Sequence, residues 1–168
     1  MAAAATMRRC VFSLGSNLGD RLAMLENACD YLADVFGGLR LSQVYETEPV
    51  GCPPGSPSYL NACVAVESDM PAEEILQLCL RIETELGRTR SGEYGEARTC
   101  DIDLICCGSE TSQTTALTLP HPRAHQREFV LRPLCDIDPQ LILPGQTQTV
   151  EQLLAALPAG PAVTLYPL

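Results

Sequence analysis

Cys100-Asp101-Ile102-Asp103-Leu104-Ile105-Cys106-Cys107 alternates polar and apolar residues at its start, is wholly apolar at its end, and contains no strand breaker. Residues two apart in an extended chain share a face, so this pattern predicts a strand that is buried along most of its length. The segments before it give the strand its place. Asp69 and Pro71 open a helix with Glu73 and Glu74 in its first turn, an apolar stripe of Ile75, Leu78, Cys79, Ile82 and Leu86, and Gly87 at its end. Residues 60–67 and 39–46 read as strands, separated by a Gly/Pro/Ser stretch at 51–57 that cannot be regular structure. Earlier still, Leu22, Leu25, Cys29, Leu32 and Val35/Phe36 recur at helical spacing before Gly37-Gly38, and Val11-Phe12-Ser13-Leu14 forms a first strand stopped by Gly15. The order is β-α-β-β-α-β, the ferredoxin-like split pattern. It predicts an α+β fold, a ferredoxin-like α/β sandwich whose central, mostly antiparallel sheet carries helices packed on it. Further on, strands are expected around residues 117–119 and 129–134, and a short helix near 150–157.

The whole chain of 168 residues fits one domain, 1–168, with residues 1–7 expected to be a disordered, Ala-rich start. With 46% hydrophobic and 19% charged residues it can bury a core, and no apolar run approaches the roughly 20 residues of a membrane span. A net charge of −10 argues against nucleic acid or an anionic membrane as partner. All 11 basic residues are arginine, a choice that base composition alone could produce. Without lysine there is no Walker-type P-loop, Schiff-base lysine or protein-kinase lysine, so any phosphate must be held by arginine, backbone amides or metal. The nine cysteines are odd in number, contain no CxxC pair and include the adjacent Cys106-Cys107, which suits neither a zinc cage nor a disulfide scaffold. They read as buried thiols of a cytoplasmic protein.

Three groups of residues suggest chemistry. Asp101 and Asp103 project from one strand face and repel unless a cation sits between them; magnesium, which takes one or two carboxylates plus water and phosphate oxygens, fits such a pair. A solvated edge strand with incidental acids would show the same residues. Seven of the 11 arginines fall between positions 81 and 132, where they could clamp a polyanion that also bridges the carboxylates, or simply pair with Glu83, Glu85, Glu93 and Glu96. Tyr59-Leu60-Asn61 sets a carboxamide beside a ring, as a flat heterocycle requires, and Phe129 could supply an opposite face or belong to the core.

Six motifs follow one another: Leu14-Gly15-Ser16-Asn17-Leu18-Gly19-Asp20-Arg21, Tyr45-Glu46-Thr47-Glu48-Pro49-Val50-Gly51, Tyr59-Leu60-Asn61, Gly87-Arg88-Thr89-Arg90, Arg98-Thr99-Cys100-Asp101-Ile102-Asp103 and Leu119-Pro120-His121-Pro122-Arg123. From about Val11 to about Leu143 the chain resembles the 6-hydroxymethyl-7,8-dihydropterin pyrophosphokinase family of folate biosynthesis. The resemblance implies transfer of pyrophosphate from ATP, as co-substrate, to the pterin hydroxymethyl group, with release of AMP. It implies two magnesium ions on Asp101 and Asp103, and catalytic arginines at Arg88 and Arg98. Thr47, Pro49, Val50, Tyr59, Asn61 and Phe129 match pterin-binding positions, and Glu83, Arg88, Arg90, Arg98, His121 and Arg127 match positions near ATP. The segments 51–57 and 87–95 would be lids, and the enzyme would be a monomer acting on small molecules alone. The second lid departs from the family pattern: Gly95 stands where tryptophan is usual and Glu96-Ala97 replaces Gly-Pro, while Leu80 and Ala116 occupy positions that are commonly polar. That acidic lid is what a different reading would rest on, a ferredoxin-like module that binds a nucleotide or metabolite without turnover.

Overall fold

Strand β1 (Arg8–Ser16) is buried from Cys10 to its end and pairs on both edges, which makes it the centre of the sheet. The structure, a computed structural model, describes residues 6–48, 55, 57–87 and 100–168. After β1 come α1 (Arg21–Phe36), β2 (Arg40–Leu41), β3 (Tyr45–Thr47), β4 (Tyr59–Ser68), α2 (Ala72–Glu85) and β5 (Asp101–Cys107). The small pair β6 (Ser112–Gln113) and β7 (Thr118–Leu119) follows, then a 3-10 turn at Ala124–Gln126, α3 (Glu128–Ile137), α4 (Val150–Ala156) and β8 (Val163–Leu165). The main sheet runs β5-β1-β4-β3-β8 with β2 also on β4, and every described pairing is antiparallel. Without β8, this is the strand order expected of the split β-α-β pattern.

Each face of the sheet builds a core. Phe12, Leu14, Val64, Ile102 and Leu104 pack against Leu25, Ala28 and Leu32 of α1 and Ile75, Leu78 and Ile82 of α2. On the other face Val11, Cys63, Ala65 and Ile105 meet Val130, Leu131, Leu134 and Ile137 of α3 and Val150 and Leu153 of α4. Each large side chain fully buried in this way contributes about 1.5–3 kcal/mol. A register shift between Val11 and Phe12 lets the consecutive residues Ile105 and Cys106 both enter the α3/α4 core, which explains why this end of β5 is continuously apolar.

The helix ends follow local chemistry. Asp20 caps α1 by accepting the Ala23 N–H at 3.1 Å, and Gly37 ends it with φ of 81°, a conformation that favours glycine. The α2 N-cap is Pro71 rather than Asp69, and no side chain caps it. Thr149 and Gln152 form a reciprocal capping box on α4.

Two expectations need correction. Residues 129–134 are not a strand but part of α3: Val130, Leu131, Leu134 and Ile137 fall on one helical face against the sheet, and Arg132 pairs with Glu128 one turn earlier at 2.8 Å. Pro133 removes one helical hydrogen bond and so disguises the pattern, but the packing outweighs it. Residues 39–46 are not one strand but β2 and β3. The Ser42 hydroxyl accepts the Cys63 N–H at 2.8 Å, substituting for a backbone carbonyl and letting the chain bulge between them.

The eight described cysteines are free, and Cys10, Cys63, Cys79, Cys100, Cys106 and Cys107 are buried. Burial pushes the thiols of Cys79, Cys100 and Cys106 up to about 12 and that of Cys63 higher still. Maleimide labelling of the native protein, read by peptide mass, should leave these four unmodified until denaturant is added; rapid native labelling would contradict their burial. Among the described residues, no helix is long and apolar enough to cross a membrane.

Candidate active site

The sheet register builds the site. Gly15 on β1 stands opposite Asn61 of β4 on one side and Asp101 of β5 on the other. One step along, Ser13 stands between Cys63 and Asp103. With strands about 4.8 Å apart, Asn61 and Asp101 lie about 10 Å from each other across β1. This is the face that α3 and α4 cover at its other end. Here it opens into a cavity of about 430 Å³ lined by Thr47, Tyr59, Asn61, Asp101, Asp103, Arg127 and Phe129, with Ser13, Gly15, Glu48 and Pro161 between them. That is an ordinary size for a small-molecule site.

On the apolar side of the cavity, the Thr47 hydroxyl donates to Asn61 Oδ1 at 2.6 Å, with both residues buried. This bond orients the carboxamide with its Nδ2 donors on the Gly15 side, where a Cβ on residue 15 would come within 3.2 Å of Nδ2 and 3.7 Å of the Tyr59 ring. A side chain at residue 15 would therefore push the amide aside by a few tenths of an ångström. Gly15→Ala should weaken heterocycle binding about tenfold in titration calorimetry with little loss of folding stability; unchanged binding would show that the amide can move aside.

At the start of α3 the Arg127 guanidinium lies 5.4 Å from the centroid of the Phe129 ring, an attraction that holds both at the cavity wall. On the polar side Asp103 is exposed and Asp101 half-buried, while Ile102 and Leu104 face the α1/α2 core. Among the described residues no group of three or more His, Cys, Asp or Glu side chains could hold a metal. Two carboxylates alone leave most of a coordination sphere to water and ligand oxygens, and this donor set fits magnesium bound together with phosphate.

Glu83 and His121 lie outside the cavity lining. Glu83 is 4% exposed on α2, and its Oε2 accepts the Ile102 N–H at 2.8 Å, so its carboxylate grips β5 between the two aspartates. His121 donates its backbone N–H to the Ile105 carbonyl at 2.8 Å, while its Nδ1 accepts the Arg123 N–H at 3.3 Å, which leaves the ring proton on Nε2. Burial holds the imidazole below its ordinary value, opposed by Asp103 and reinforced by Arg127 and Arg123. Its NMR titration midpoint should therefore lie below that of a free imidazole; a midpoint above it would mean the Asp103 charge outweighs burial.

Pro49, Val50, Arg88, Arg90 and Arg98 lie outside the described residues, as do most of both lid segments and residues 1–5. Of the lining residues that sequence reasoning did not single out, Gly15 and Ser13 sit in or beside the first motif, and the glycine within that motif was the available signal. Nothing in the composition around Pro161 points to the cavity.

The family model described as 7,8-dihydro-6-hydroxymethylpterin-pyrophosphokinase matches residues 11–139. A protein of Mycobacterium leprae named 2-amino-4-hydroxy-6-hydroxymethyldihydropteridine pyrophosphokinase is 43% identical over 165 residues, covering 90% of this chain and 84% of its own. One of the same name from Methylorubrum extorquens is 39% identical over 158 residues, covering 92% and 97%. Among solved structures, an HPPK-DHPS chain in complex with substrates superimposes with a TM-score of 0.67 at 12% identity over 89% of this chain, which spans 45% of that longer one. The Plasmodium falciparum HPPK-DHPS with pteroate gives 0.68, also at 12% identity, with 44% of its length spanned. These last two likenesses concern the fold. The chain belongs to the 7,8-dihydro-6-hydroxymethylpterin-pyrophosphokinase family.

Proposed function

We infer that this chain transfers the terminal pyrophosphoryl group of ATP to the hydroxymethyl oxygen of 6-hydroxymethyl-7,8-dihydropterin, a step of folate biosynthesis. The hydroxymethyl oxygen bonds to the β-phosphorus, the bond from that phosphorus to the α-phosphate oxygen breaks, AMP leaves, and the hydroxyl proton passes to solvent. The observation that carries the reading is a cavity in which a carboxamide and a ring on β4 stand across one strand from a pair of carboxylates, with a second ring, Phe129, lining it from the start of α3. A heterocycle and a metal-bound polyphosphate are thereby held side by side.

Asn61, oriented by Thr47, would read the edge of the pterin, with Tyr59 and Phe129 against its faces. The resemblance adds Pro49 and Val50 to this wall. Asp101 and Asp103 would hold magnesium, two ions on the family pattern, which when bound neutralises phosphate oxygens and lowers the cost of charge moving between them. Arg127 lines the cavity and can pair with a phosphate, and His121 can donate from Nε2. Arg88, Arg90 and Arg98 would complete the clamp, and Glu83 supports it by holding β5. Little covalent work falls to the protein: the rate comes from placing two substrates and stabilising charge. On this reading the enzyme works as a single-domain monomer in the cytoplasm, a compartment that would keep its free thiols reduced.

The test is AMP formation by the purified protein. AMP should form only when ATP, magnesium and hydroxymethyldihydropterin are all present. Pterin binding without AMP would instead favour a binding module, and AMP without pterin would favour a hydrolase.

A further inference from the structure

β8 pairs with β3 in the register Thr47 to Val163, Glu46 to Thr164 and Tyr45 to Leu165. The ladder continues at both ends: Glu48 donates its N–H to the Ala162 carbonyl at 3.1 Å, and Tyr166 donates to the Val44 carbonyl at 2.9 Å. Pro161, next in line, lines the cavity beside Thr47 and Glu48. All of this segment lies beyond the residues that the family model matches, 11–139.

One side chain ties the segment to the rest of the site. Arg21, at the first position of α1, donates through Nη1 to Glu46 Oε2 at 2.8 Å and to the Ser58 carbonyl at 2.8 Å, and its guanidinium lies 5.8 Å from the Tyr166 ring centroid. A single planar cation therefore joins β3, the residue just before Tyr59, and the residue just after β8. The Arg21 and Glu46 side chains are 24% and 37% exposed, so solvent screens their charge pairing. What the contact supplies is geometry. β3 is only three residues long, and a one-residue slip would turn the Thr47 hydroxyl away from Asn61.

We propose that residues 161–166 form a further wall of the heterocycle half of the site, with Pro161 a specificity-determining residue and Arg21 a positioning residue. Arg21 acts through β3 and Ser58 to hold Thr47 and Tyr59 against the pterin. The proposal rests on the function inferred above and extends it to residues outside the family match.

The experiment compares the full chain with Arg21→Met, Arg21→Lys and Pro161→Trp. Pterin binding is measured by calorimetry without ATP, both KM values by AMP formation, and folding by thermal unfolding. Arg21→Met should raise the pterin Kd and KM about tenfold while the ATP KM stays within about twofold. Arg21→Lys should recover part of that, because an ammonium can donate to Glu46 and the Ser58 carbonyl as Nη1 does, but lacks the planar group that lies by the Tyr166 ring. Pro161 is exposed, so Pro161→Trp should fold normally and raise the pterin Kd by filling the cavity; it carries the test if Arg21→Met does not fold. Unchanged pterin Kd in the folded variants overturns the wall. A parallel rise in both KM values overturns the positioning role. Absence of pterin binding by the unaltered protein refutes the function itself and the wall with it.

Discussion

Asp103→Ala and Asp101→Ala each abolish pyrophosphoryl transfer: the expected fall in kcat is at least about a thousandfold, while the pterin Kd stays within about threefold. The two carboxylates share a face of β5 that opens on the cavity, and the intervening side chain, Ile102, is buried in the α1/α2 core. β5 is anchored independently of them, by its ladder to β1 and by the Glu83 carboxylate on the Ile102 N–H. Removing an aspartate should therefore leave the strand in place and Asn61, two strands away, unaffected. The isosteric Asp103→Asn separates charge from shape: it keeps one oxygen but lowers metal affinity, so it should be nearly as inactive as alanine. Near-normal turnover in any of these variants would remove magnesium from this pair.

Asn61→Ala raises the pterin Kd about a hundredfold, and the ATP KM changes little. The carboxamide is 4% exposed and receives the Thr47 hydroxyl at 2.6 Å, so truncation loses contacts to the ligand and also leaves a buried hydroxyl without its acceptor. The second effect destabilises the fold by about 1–3 kcal/mol, visible in denaturant unfolding. Thr47→Val removes the donor, lets the amide turn, and should weaken pterin binding less. Because the two residues act as one unit, the double variant should lose less than the sum of the single losses. Additive losses would mean that Thr47 does not orient Asn61.

Much of this site was legible because it is written in local pattern. A two-residue period places Asp101 and Asp103 together, and it holds along β5 until the shift opposite Val11 and Phe12 lets Ile105 and Cys106 face the same core. Tyr59 and Asn61 obey the same period on β4, and their common cavity follows from the sheet order. The α1 and α2 stripes were legible because their helical spacing runs uninterrupted for three turns or more. α3 was not, because Pro133 interrupts a short helix rich in residues that also suit strands. Nor was the split between β2 and β3, which depends on a contact from Ser42 to Cys63, 21 positions away. The Arg21 brace is less legible still: its partners at 46, 58 and 166 meet only when the sheet has closed.

The composition takes on a narrower meaning beside the structure. A net charge of −10 opposes long polyanions, but the field at the cavity is local: among the described residues its charged lining is Glu48, Asp101, Asp103 and Arg127. A chain without lysine can handle a triphosphate if metal and guanidinium divide the work.

The most direct measurement follows the label from γ-phosphate-labelled ATP in a reaction with hydroxymethyldihydropterin and magnesium. The label should appear in a pterin diphosphate formed one-for-one with unlabelled AMP. Label in a pterin monophosphate accompanied by ADP, or released as free phosphate, would contradict attack at the β-phosphorus and with it the account of this site.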